Sequence, residues 1–582
     1  MINTKLNLRY KIGKIINFTF RNKRTLFFVL GSAFLLYLII VKIIAITKLG
    51  YFSDEPDDLA LLIGDLSRLK IFFTGTVSAD QARLPHLLVA PIVVLFKTNS
   101  LIPSRLFFIL IHCIYLFVLY KLFRLTLSKV KSIYGILLVA SSAYLFSFSI
   151  FAMTTSNNLA ILFDTLLLYL YLKNYKSKYK MTINQVVIFG LVFGLAIGSR
   201  FFGAITLVSI FLFDAYINKR TLFRFSNYKI WALPFEKLNI LFTVALVLIN
   251  ISSISLIYKT FVAFGVVLIY IYYFVFIYFK DDKKEVEYSF LEKWIVITHT
   301  AFVFALIGSP VHLNFNNIIK IFGWSNTWHK VENYINPSRF DIFTIIGVKM
   351  GWLAGIGILI AIGIIIWRRQ TKKFLKTYSL IILVVLLQLI AFTIVKYVIV
   401  WYPIYIMPFL YLPLIYIFPD SKKQLSKPIG IILFAILMFI PFQEQYRYWR
   451  LFPYGHIDGA QYGKQYVGWN KPGTISFEAS YKIADYLKEN HQNLAPGIID
   501  CRLTKSLKYN LWASERLNLD FQKAGIINYN CLLMSSNEQT PYVITSLYIP
   551  ENEKFDLRQT YKEEKIFYEA GIPFASFWVH DK

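Results

Sequence analysis

The segment RNKRTLFFVLGSAFLLYLIIVKIIAITKLGYFSDEPDD, residues 21–58, contains the pattern that decides the fold of this chain. A basic cluster is followed by a long apolar run over 26–47 and then by an acidic stretch over 54–58. A bilayer core about 30 Å thick requires roughly 20 apolar residues in a helix. The run has no small-residue cleavage site, so it predicts an uncleaved first membrane helix rather than a removable signal peptide.

Long apolar runs recur along most of the chain. Of its 582 residues, 57% are hydrophobic and only 16% are charged, against about 25% charged residues in ordinary soluble domains. Runs of this length predict an α-helical polytopic membrane protein with about 13 transmembrane helices. The predicted spans are 26–47, 104–123, 132–151, 158–172, 185–199, 202–217, 238–257, 260–279, 293–311, 342–367, 378–395, 398–418 and 428–442.

The net charge of +29, from 62 Lys and Arg against 33 Asp and Glu, is concentrated in alternate gaps between these spans. The basic gaps are 121–131, 173–180, 219–224, 368–376 and 422–427. Loops rich in Lys and Arg mark the cytoplasmic side, so the alternation predicts a multi-pass protein of the plasma membrane with a cytoplasmic N-terminus. No basic stripe lies outside these clusters, which argues against nucleic acid as a partner.

Charge and hydropathy together predict the domain organisation. An odd number of spans after a cytoplasmic N-terminus puts the C-terminus outside the cell. Two outer gaps are too long for simple turns, and loops of that size usually have a function. The predicted parts are a basic cytoplasmic N-terminus (1–25), a transmembrane module (26–442) with outer loops 48–103 and 312–341, and an extracytoplasmic domain (443–582).

The C-terminal part loses the long apolar runs. It contains a helix-like stretch at 477–487 and strand-like stretches at 542–548 and 574–579. Mixed periodicities of this kind predict a small C-terminal α/β domain.

The acidic stretch after the first span contains carboxylates of two kinds. Pro56 suits the first position of a helix, where Glu55 would be the cap and Asp57 and Asp58 would favour the helix dipole. Asp54 precedes the cap and has no such helix-end role. At the membrane–water boundary, a carboxylate can take a proton from an acceptor hydroxyl while that oxygen attacks a sugar carbon. Asp54, with Glu55 beside it, is therefore the predicted catalytic position.

Several short motifs, in order, resemble those of the GT-C superfamily of glycosyltransferases. The nearest set is the branch of dolichyl-phosphate-mannose protein mannosyltransferases and aminoarabinose transferases. The motifs are the acidic pair at 54–55, Arg83-Leu84-Pro85-His86-Leu87, Ser104-Arg105-Leu106, GLVFGLAIGSRFFG at 190–203 with Arg200 inside it, and Lys396-Tyr397 followed by Pro403 and Pro408. The resemblance implies an inverting transferase with an outer-loop Asp as general base and a polyprenyl-phosphate sugar as donor.

The resemblance also implies which residues bind the substrates. A donor phosphate at the outer face needs cations, and Arg200 and Lys396, then Arg83 and Arg105, are the predicted ones. The alternative for each is a side chain that extends toward lipid headgroups. The predicted substrate-binding residues are Tyr397, Asn157, His86 and Trp328. For Trp328 the alternative is an interfacial anchor.

The sequence departs from the family pattern at two places. His86 replaces the second proline of its motif, and the second outer loop, at 154–158, contains no acid. Because that acid is missing, we expect no required cofactor, although Asp54, Glu55, Asp57 and Asp58 could form a weak divalent metal site. The nearest acid to that loop is Asp164, which is expected to be a buried partner of a basic residue.

The sequence thus predicts a cell-envelope glycosyltransferase of the hexosyl or pentosyl class that depends on a lipid-phosphate sugar. Its partners would be a polyprenyl-phosphate sugar donor, a lipid, protein or polysaccharide acceptor, and membrane lipids. One alternative is a flippase or transporter of lipid-linked sugars, which would need buried charge pairs along a transmembrane route. A further alternative is a non-catalytic scaffold in an envelope assembly.

Overall fold

A computed structural model describes the following parts of the chain, together with short pieces and single residues elsewhere: 23–48, 102–142, 157–176, 181–199, 203–219, 289–308, 352–394, 402–419, 542–546, 557–569 and 572–580. Within these ranges, the longer helices are α1 (Lys23–Lys48), α2 (Ile102–Arg124), α3 (Lys129–Ser141), α4 (Asn157–Lys176), α5 (Ile183–Ser199), α6 (Gly203–Ile217), α7 (Phe290–Gly308), α8 (Trp352–Trp367) and α9 (Thr371–Ile394). A 3₁₀ turn (Tyr402–Tyr405) and two short helices, α10 (Met407–Leu410) and α11 (Leu412–Ile417), follow.

These helices overlap the predicted spans, with three local differences. Helix α3 ends at Ser141, well before the predicted end at 151, because Ser142 leaves the helical region with φ −55° and ψ 120°. Helix α9 begins seven residues early and is interrupted at Tyr378, with φ −113° and ψ 16°. The predicted span 398–418 is a series of short helical pieces. It contains several prolines, and proline lacks an N–H and clashes with the preceding turn.

The described chain is mostly helical and presents apolar surfaces that suit a lipid environment. Two described helices are long and apolar enough to cross a membrane, over Arg105–Arg124 and Thr371–Thr393. Shorter apolar helices cover Ile183–Ser199, Gly203–Ile217 and Ala354–Trp367. Large apolar side chains are exposed on several helices, among them Leu110, Phe117, Leu359 and Ile366. The count of about 13 spans stays a prediction.

The glycine-rich stretch predicted as a family motif brings α5 close to the backbone of α7. A Cβ atom at Gly190 would lie 2.9 Å from the carbonyl oxygen of Ile297, and one at Gly194 would lie 2.6 Å from that of Ala301. Side chains of any size would force α5 away from the backbone of α7. Small residues allow this approach, which is typical of helices that pack within a membrane.

Side-chain contacts determine the relative directions of the central helices. Asp164 of α4 contacts Thr206 near the start of α6, and Tyr171, further along α4, contacts Asp214 near the end of α6. Helices α4 and α6 therefore run in the same direction. Lys293, near the start of α7, contacts Asp214 near the end of α6, so α7 runs in the opposite direction. These directions agree with the alternation of basic gaps. Which end faces the cytoplasm stays a prediction.

The C-terminal part contains a four-stranded sheet with strand order β1-β2-β4-β3. Its strands are β1 (Ile498–Ile499), β2 (Tyr542–Ser546), β3 (Tyr561–Glu569) and β4 (Ile572–His580). Strands β1 and β2 are parallel, and the other pairs are antiparallel. Strands β2 and β4 coincide with predicted strands, whereas β3, with its charged sequence YKEEKIFYE, was not predicted.

The predicted helix at 477–487 lies outside the described residues except at Tyr486, which is helical. The ring of Tyr486 packs edge-on against Phe567 of β3 and Phe577 of β4. A helical residue packed on a sheet is typical of an α/β domain. Its extracytoplasmic location stays a prediction.

Candidate functional site

Most of the predicted site residues lie outside the described residues. This holds for the predicted catalytic positions Asp54 and Glu55, and for Arg83, His86, Arg200, Trp328, Lys396 and Tyr397. Asn157 is the first residue of α4, and its side chain also lies outside the description. The roles assigned to these residues stay predictions.

Arg105 is the predicted donor-binding cation whose side chain the structure describes. It lies in the first turn of α2, it is fully buried, and it interacts with other groups of the protein. Its burial argues against a side chain that extends toward lipid headgroups, because such a side chain keeps its charge in the polar layer. A role in phosphate binding stays a prediction.

Asp164 lies two turns into α4 and is buried between α4 and α6. Its Oδ2 accepts a hydrogen bond of 3.2 Å from the Thr206 hydroxyl, and the Oγ1 of Thr206 accepts one of 3.2 Å from Nε2 of Gln388 on α9. We call Asp164, Thr206 and Gln388 the Asp164 cluster. Among the described residues, the partner of Asp164 is thus a hydroxyl group. The expected basic partner is not among the hydrogen-bond partners that the described residues provide, and it stays a prediction.

The Asp164 cluster has two acceptor atoms to spare. Asp164 Oδ1 and Gln388 Oε1 are both buried, and neither has a hydrogen-bond partner within the described part of the chain. Helix α6 begins at Gly203, where a Cβ atom would lie 3.0 Å from Asp164 Oδ1. Glycine therefore leaves room for this oxygen near the positive end of a helix, which favours a carboxylate. Two unused acceptors can receive hydrogen bonds from a ligand that carries hydroxyl groups.

A second buried carboxylate, Asp214, lies near the end of α6. The distances from Lys293 Nζ to its two oxygens are 2.9 and 2.7 Å. Further donors are the Tyr171 hydroxyl at 2.8 Å, the Trp294 indole N–H at 2.7 Å and the Asn218 amide at 3.1 Å. We call these five residues the Asp214 cluster. Both oxygens are saturated, so the cluster joins α4, α6 and α7 and leaves no acceptor for a ligand.

The sequence analysis missed the Asp214 cluster. The available signal was a charged residue within a predicted span, since Asp214 lies inside 202–217 and Lys293 begins 293–311. Ionisable residues in such spans usually face the bundle interior and pair. Asp214 and Lys293 are 79 residues apart in the sequence, so no local pattern indicates that they form a pair.

Metal binding is untested by the described residues. No group of three or more His, Cys, Asp or Glu side chains among them could hold a metal ion. The acidic stretch 54–58 lies outside the described ranges. The expectation of a weak divalent site there stays a prediction.

The sequence of residues 80–249 matches the family model described as Dolichyl-phosphate-mannose-protein mannosyltransferase. This region includes α2 through α6, with Arg105 and Asp164. The match confirms the resemblance that the ordered motifs predicted. Glycosyl transfer is the activity that the family's description names. No curated protein matches the sequence at a significant level.

Solved structures align over most of the chain, but loosely. The Archaeoglobus fulgidus oligosaccharyltransferase in complex with Zn and sulfate is 12% identical, with 88% of this chain and 68% of that chain covered and a TM-score of 0.36. ArnT from Cupriavidus metallidurans in the apo state is 12% identical, with 96% and 98% covered and a TM-score of 0.32. The same ArnT bound to undecaprenyl phosphate is 12% identical, with 94% and 97% covered and a TM-score of 0.32. These TM-scores are too low to establish a common fold.

Proposed function

We propose that this chain is a membrane glycosyltransferase that moves a hexose or pentose from a polyprenyl-phosphate donor to an acceptor hydroxyl at the outer face of the plasma membrane. The family match over 80–249 is the observation that supports this proposal. Its description names a dolichyl-phosphate sugar as donor and a protein as acceptor. For this chain the acceptor class, whether lipid, protein or polysaccharide, stays open.

In the proposed mechanism, Asp54 takes the proton of the acceptor hydroxyl. The acceptor oxygen attacks the anomeric carbon from the face opposite the phosphate, so a new glycosidic bond forms as the carbon–phosphate-oxygen bond breaks. The polyprenyl phosphate leaves with its charge stabilised by Arg200 and Lys396, with Arg83 and Arg105 as further cations. Attack from the opposite face inverts the anomeric configuration.

The Asp164 cluster supports the same proposal from within the helix bundle. Under the predicted topology, α4 and α6 begin at the outer face, so the cluster lies nearer that face than the Asp214 cluster does. Its two unused acceptors suit the hydroxyl groups of a sugar. We therefore assign the Asp164 cluster to sugar positioning rather than to proton transfer.

The test of the transferase proposal is release of the sugar from its carrier. Purified full-length protein in lipid nanodiscs would be incubated with labelled polyprenyl-phosphate mannose or pentose and with membrane extract as acceptor. We expect labelled product with inverted configuration, measured by chromatography and NMR. Asp54→Asn should lower the rate at least about 100-fold, because a lost general base typically costs about 10²–10⁴-fold.

Asp57→Asn is the matched control, because it removes a carboxylate three residues away whose predicted role is only at the helix end. It should keep the wild-type rate within about threefold, since helix-dipole effects are worth a few tenths of a kcal/mol. Full activity of Asp54→Asn, with Asp57→Asn equally active, would remove Asp54 from the mechanism. Intact donor that crosses the bilayer of a vesicle without release would instead establish the transporter alternative.

The described charges give that alternative little support. A transport route for a charged headgroup needs ionisable residues in series along the bundle. Within the described ranges, Asp214 and Lys293 form a buried ion pair, and its carboxylate is saturated. The pair therefore holds helices together and offers no transfer site.

A further inference from the structure

The turn that joins α8 to α9 concentrates positive charge. Five basic residues lie within nine positions, and we call them the basic turn: Arg368, Arg369, Lys372, Lys373 and Lys376. All five are exposed. Within the described ranges, none of their side chains has an ion-pair or hydrogen-bond partner. The sequence contains no Asp or Glu over 342–419, so no acid of α8 or α9 balances this charge.

The backbone of the turn holds Arg369 in a conformation that favours glycine. Its φ is 54°. The N–H of Arg369 donates to the carbonyl of Ile366 at 2.9 Å, and that of Gln370 donates to the carbonyl of Ile365 at 3.0 Å. This pair of bonds is the Schellman motif, whose left-handed position is most often glycine because a Cβ is strained there. The dipole of α8 favours a cation at its C-terminal end and offsets part of that strain.

The three lysines of the basic turn lie at the opposite end of a helix. Helix α9 begins at Thr371, so Lys372 and Lys373 are in its first turn. The N-terminal end of a helix is positive and disfavours cations. Lys372 and Lys376 are also four residues apart, where like charges repel each other. Helix stability therefore does not account for these lysines, and an external anion would relieve both effects.

The basic residues between α2 and α3 have partners within the protein. Nη1 of Arg124 donates to the carbonyl of Leu127 at 2.7 Å, and Nζ of Lys131 donates to the carbonyl of Tyr416 at 2.5 Å. The ring of Tyr416 packs edge-on against Phe374 in the first turn of α9. The two turns thus lie at the same end of the helix bundle. One uses its cations to hold the fold together, whereas the basic turn leaves its cations exposed.

The described surface beside the basic turn suits a lipid bilayer. Helix α9 is long and apolar enough to cross a membrane, and only 28% of its most apolar stretch is buried inside the protein. On α8, Leu359, Ile366 and Trp367 are 70%, 59% and 79% exposed. Extended apolar surface is unfavourable in water, and tryptophan is enriched at membrane–water interfaces. Apolar side chains, Trp367 and the basic turn follow one another in the order of acyl chains, interface and headgroups.

We propose that the basic turn binds the headgroups of anionic phospholipids. Phosphate oxygens would accept charge-assisted hydrogen bonds from its arginine and lysine side chains. The predicted topology puts this turn in the cytoplasm, and anionic lipids give the cytoplasmic leaflet a negative surface potential. The inference requires that α9 spans the membrane, and it does not depend on the proposed transferase activity.

The test is lipid binding to the full-length, delipidated protein in detergent, measured by native mass spectrometry. The probes are phosphatidylglycerol and phosphatidylcholine with identical acyl chains, so only the headgroup differs. We expect phosphatidylglycerol to bind at least about fivefold more tightly, which is the effect of one basic residue near an anionic surface. The preference should shrink at higher ionic strength, because salt screens exposed charges. Equal binding of the two lipids to the wild-type protein would overturn the proposal.

The double variant Lys372→Gln/Lys373→Gln should weaken phosphatidylglycerol binding at least about fivefold and leave phosphatidylcholine binding unchanged. The matched control Lys173→Gln/Lys219→Gln removes the same charge from two other basic gaps, where the lysines lie over the rings of Tyr169 and Tyr216. It should keep the preference of the wild-type protein. An equal loss in both double variants would overturn the proposal, because binding would then depend on net charge alone.

Arg369→Gly separates charge from backbone structure. Glycine suits the left-handed position, so the melting temperature without lipid should not fall. Phosphatidylglycerol should raise the melting temperature of the wild-type protein more than that of Arg369→Gly. A lipid preference that survives both Arg369→Gly and Lys372→Gln/Lys373→Gln would overturn the proposal. So would binding of soluble polyglutamate by a wild-type protein without any lipid preference, because the surface would then fit an acidic protein.

Discussion

Asp164 and Asp214 are both buried where α4 meets α6, but their surroundings differ. Asp214 accepts hydrogen bonds from four side chains, one of them charged. Within the described part of the chain, Asp164 accepts one, from the hydroxyl of Thr206, and its other oxygen has no hydrogen-bond donor. Buried polar groups are normally satisfied, so an unsatisfied one requires an explanation. The same helix pair thus contains a closed cluster that supports the fold and an open cluster that suits a ligand.

The largest expected effect comes from the matched variants Asp214→Asn and Asp164→Asn. Asp214→Asn leaves the charge of Lys293 buried without its carboxylate and should lower the free energy of unfolding by about 3–5 kcal/mol. Asp164→Asn keeps an acceptor for Thr206 and should cost less than about 1 kcal/mol. The measurement is the melting temperature of each purified protein.

The double variant Asp214→Asn/Lys293→Met sharpens this comparison. Replacing both members of a buried pair is often neutral, so most of the lost stability should return. Equal melting temperatures for Asp214→Asn and Asp164→Asn would contradict the division into a closed and an open cluster.

An intermediate effect is expected from Tyr171→Phe, which removes one hydrogen bond to the Asp214 carboxylate. Hydrogen bonds to charged groups contribute about 1.5–3 kcal/mol, so the melting temperature should fall measurably. Tyr169→Phe, two residues away on α4, is the control and should change stability by less than about 0.5 kcal/mol. A Tyr171→Phe protein as stable as this control would show that the saturation of Asp214 is unimportant.

The smallest effect on stability is expected from Gly203→Ala. Its Cβ would lie 3.0 Å from Asp164 Oδ1, and this crowding is partly offset by the helix preference of alanine, about 1 kcal/mol. The free energy of unfolding should change by less than about 1 kcal/mol. The rate of sugar transfer should fall, because the new methyl group would crowd Asp164 Oδ1.

Gly355→Ala is the control for this variant, since no atom of the neighbouring described residues would lie within 4 Å of its Cβ. It should leave transfer unchanged. Undiminished transfer by Gly203→Ala would show that the Asp164 oxygen receives no substrate.

Local regularities made much of the fold predictable. The apolar runs at 185–199 and 202–217 correspond to α5 and α6 within two residues at either end. The alternating pattern at 542–548 corresponds to β2. Strand β3 was not predicted, because Lys562, Glu564 and Lys565 are exposed and a register shift between Glu563 and Lys565 interrupts the alternation.

The candidate site was less predictable for a different reason. The order of the motifs identified Arg105 as a candidate site residue and showed that Asp164 is the acid nearest the second outer loop. No local pattern pairs Asp164 with Thr206, which is 42 residues away, or Thr206 with Gln388, which is 182 residues away. The same limit applies to Asp214 and Lys293. Each of these contacts depends on which helices pack side by side.

By itself, the sequence determined that this chain is rich in apolar runs, roughly where several of the described helices begin and end, and which family it resembles over 80–249. Hydrophobic length and periodicity act within a few turns, so they can be read locally. Only the tertiary structure decided which buried carboxylate is saturated and which has an oxygen without a donor among the described residues. That outcome depends on donors brought from α4, α7 and α9 to α6, since a charge inside the bundle is stabilised only by the groups that packing places around it.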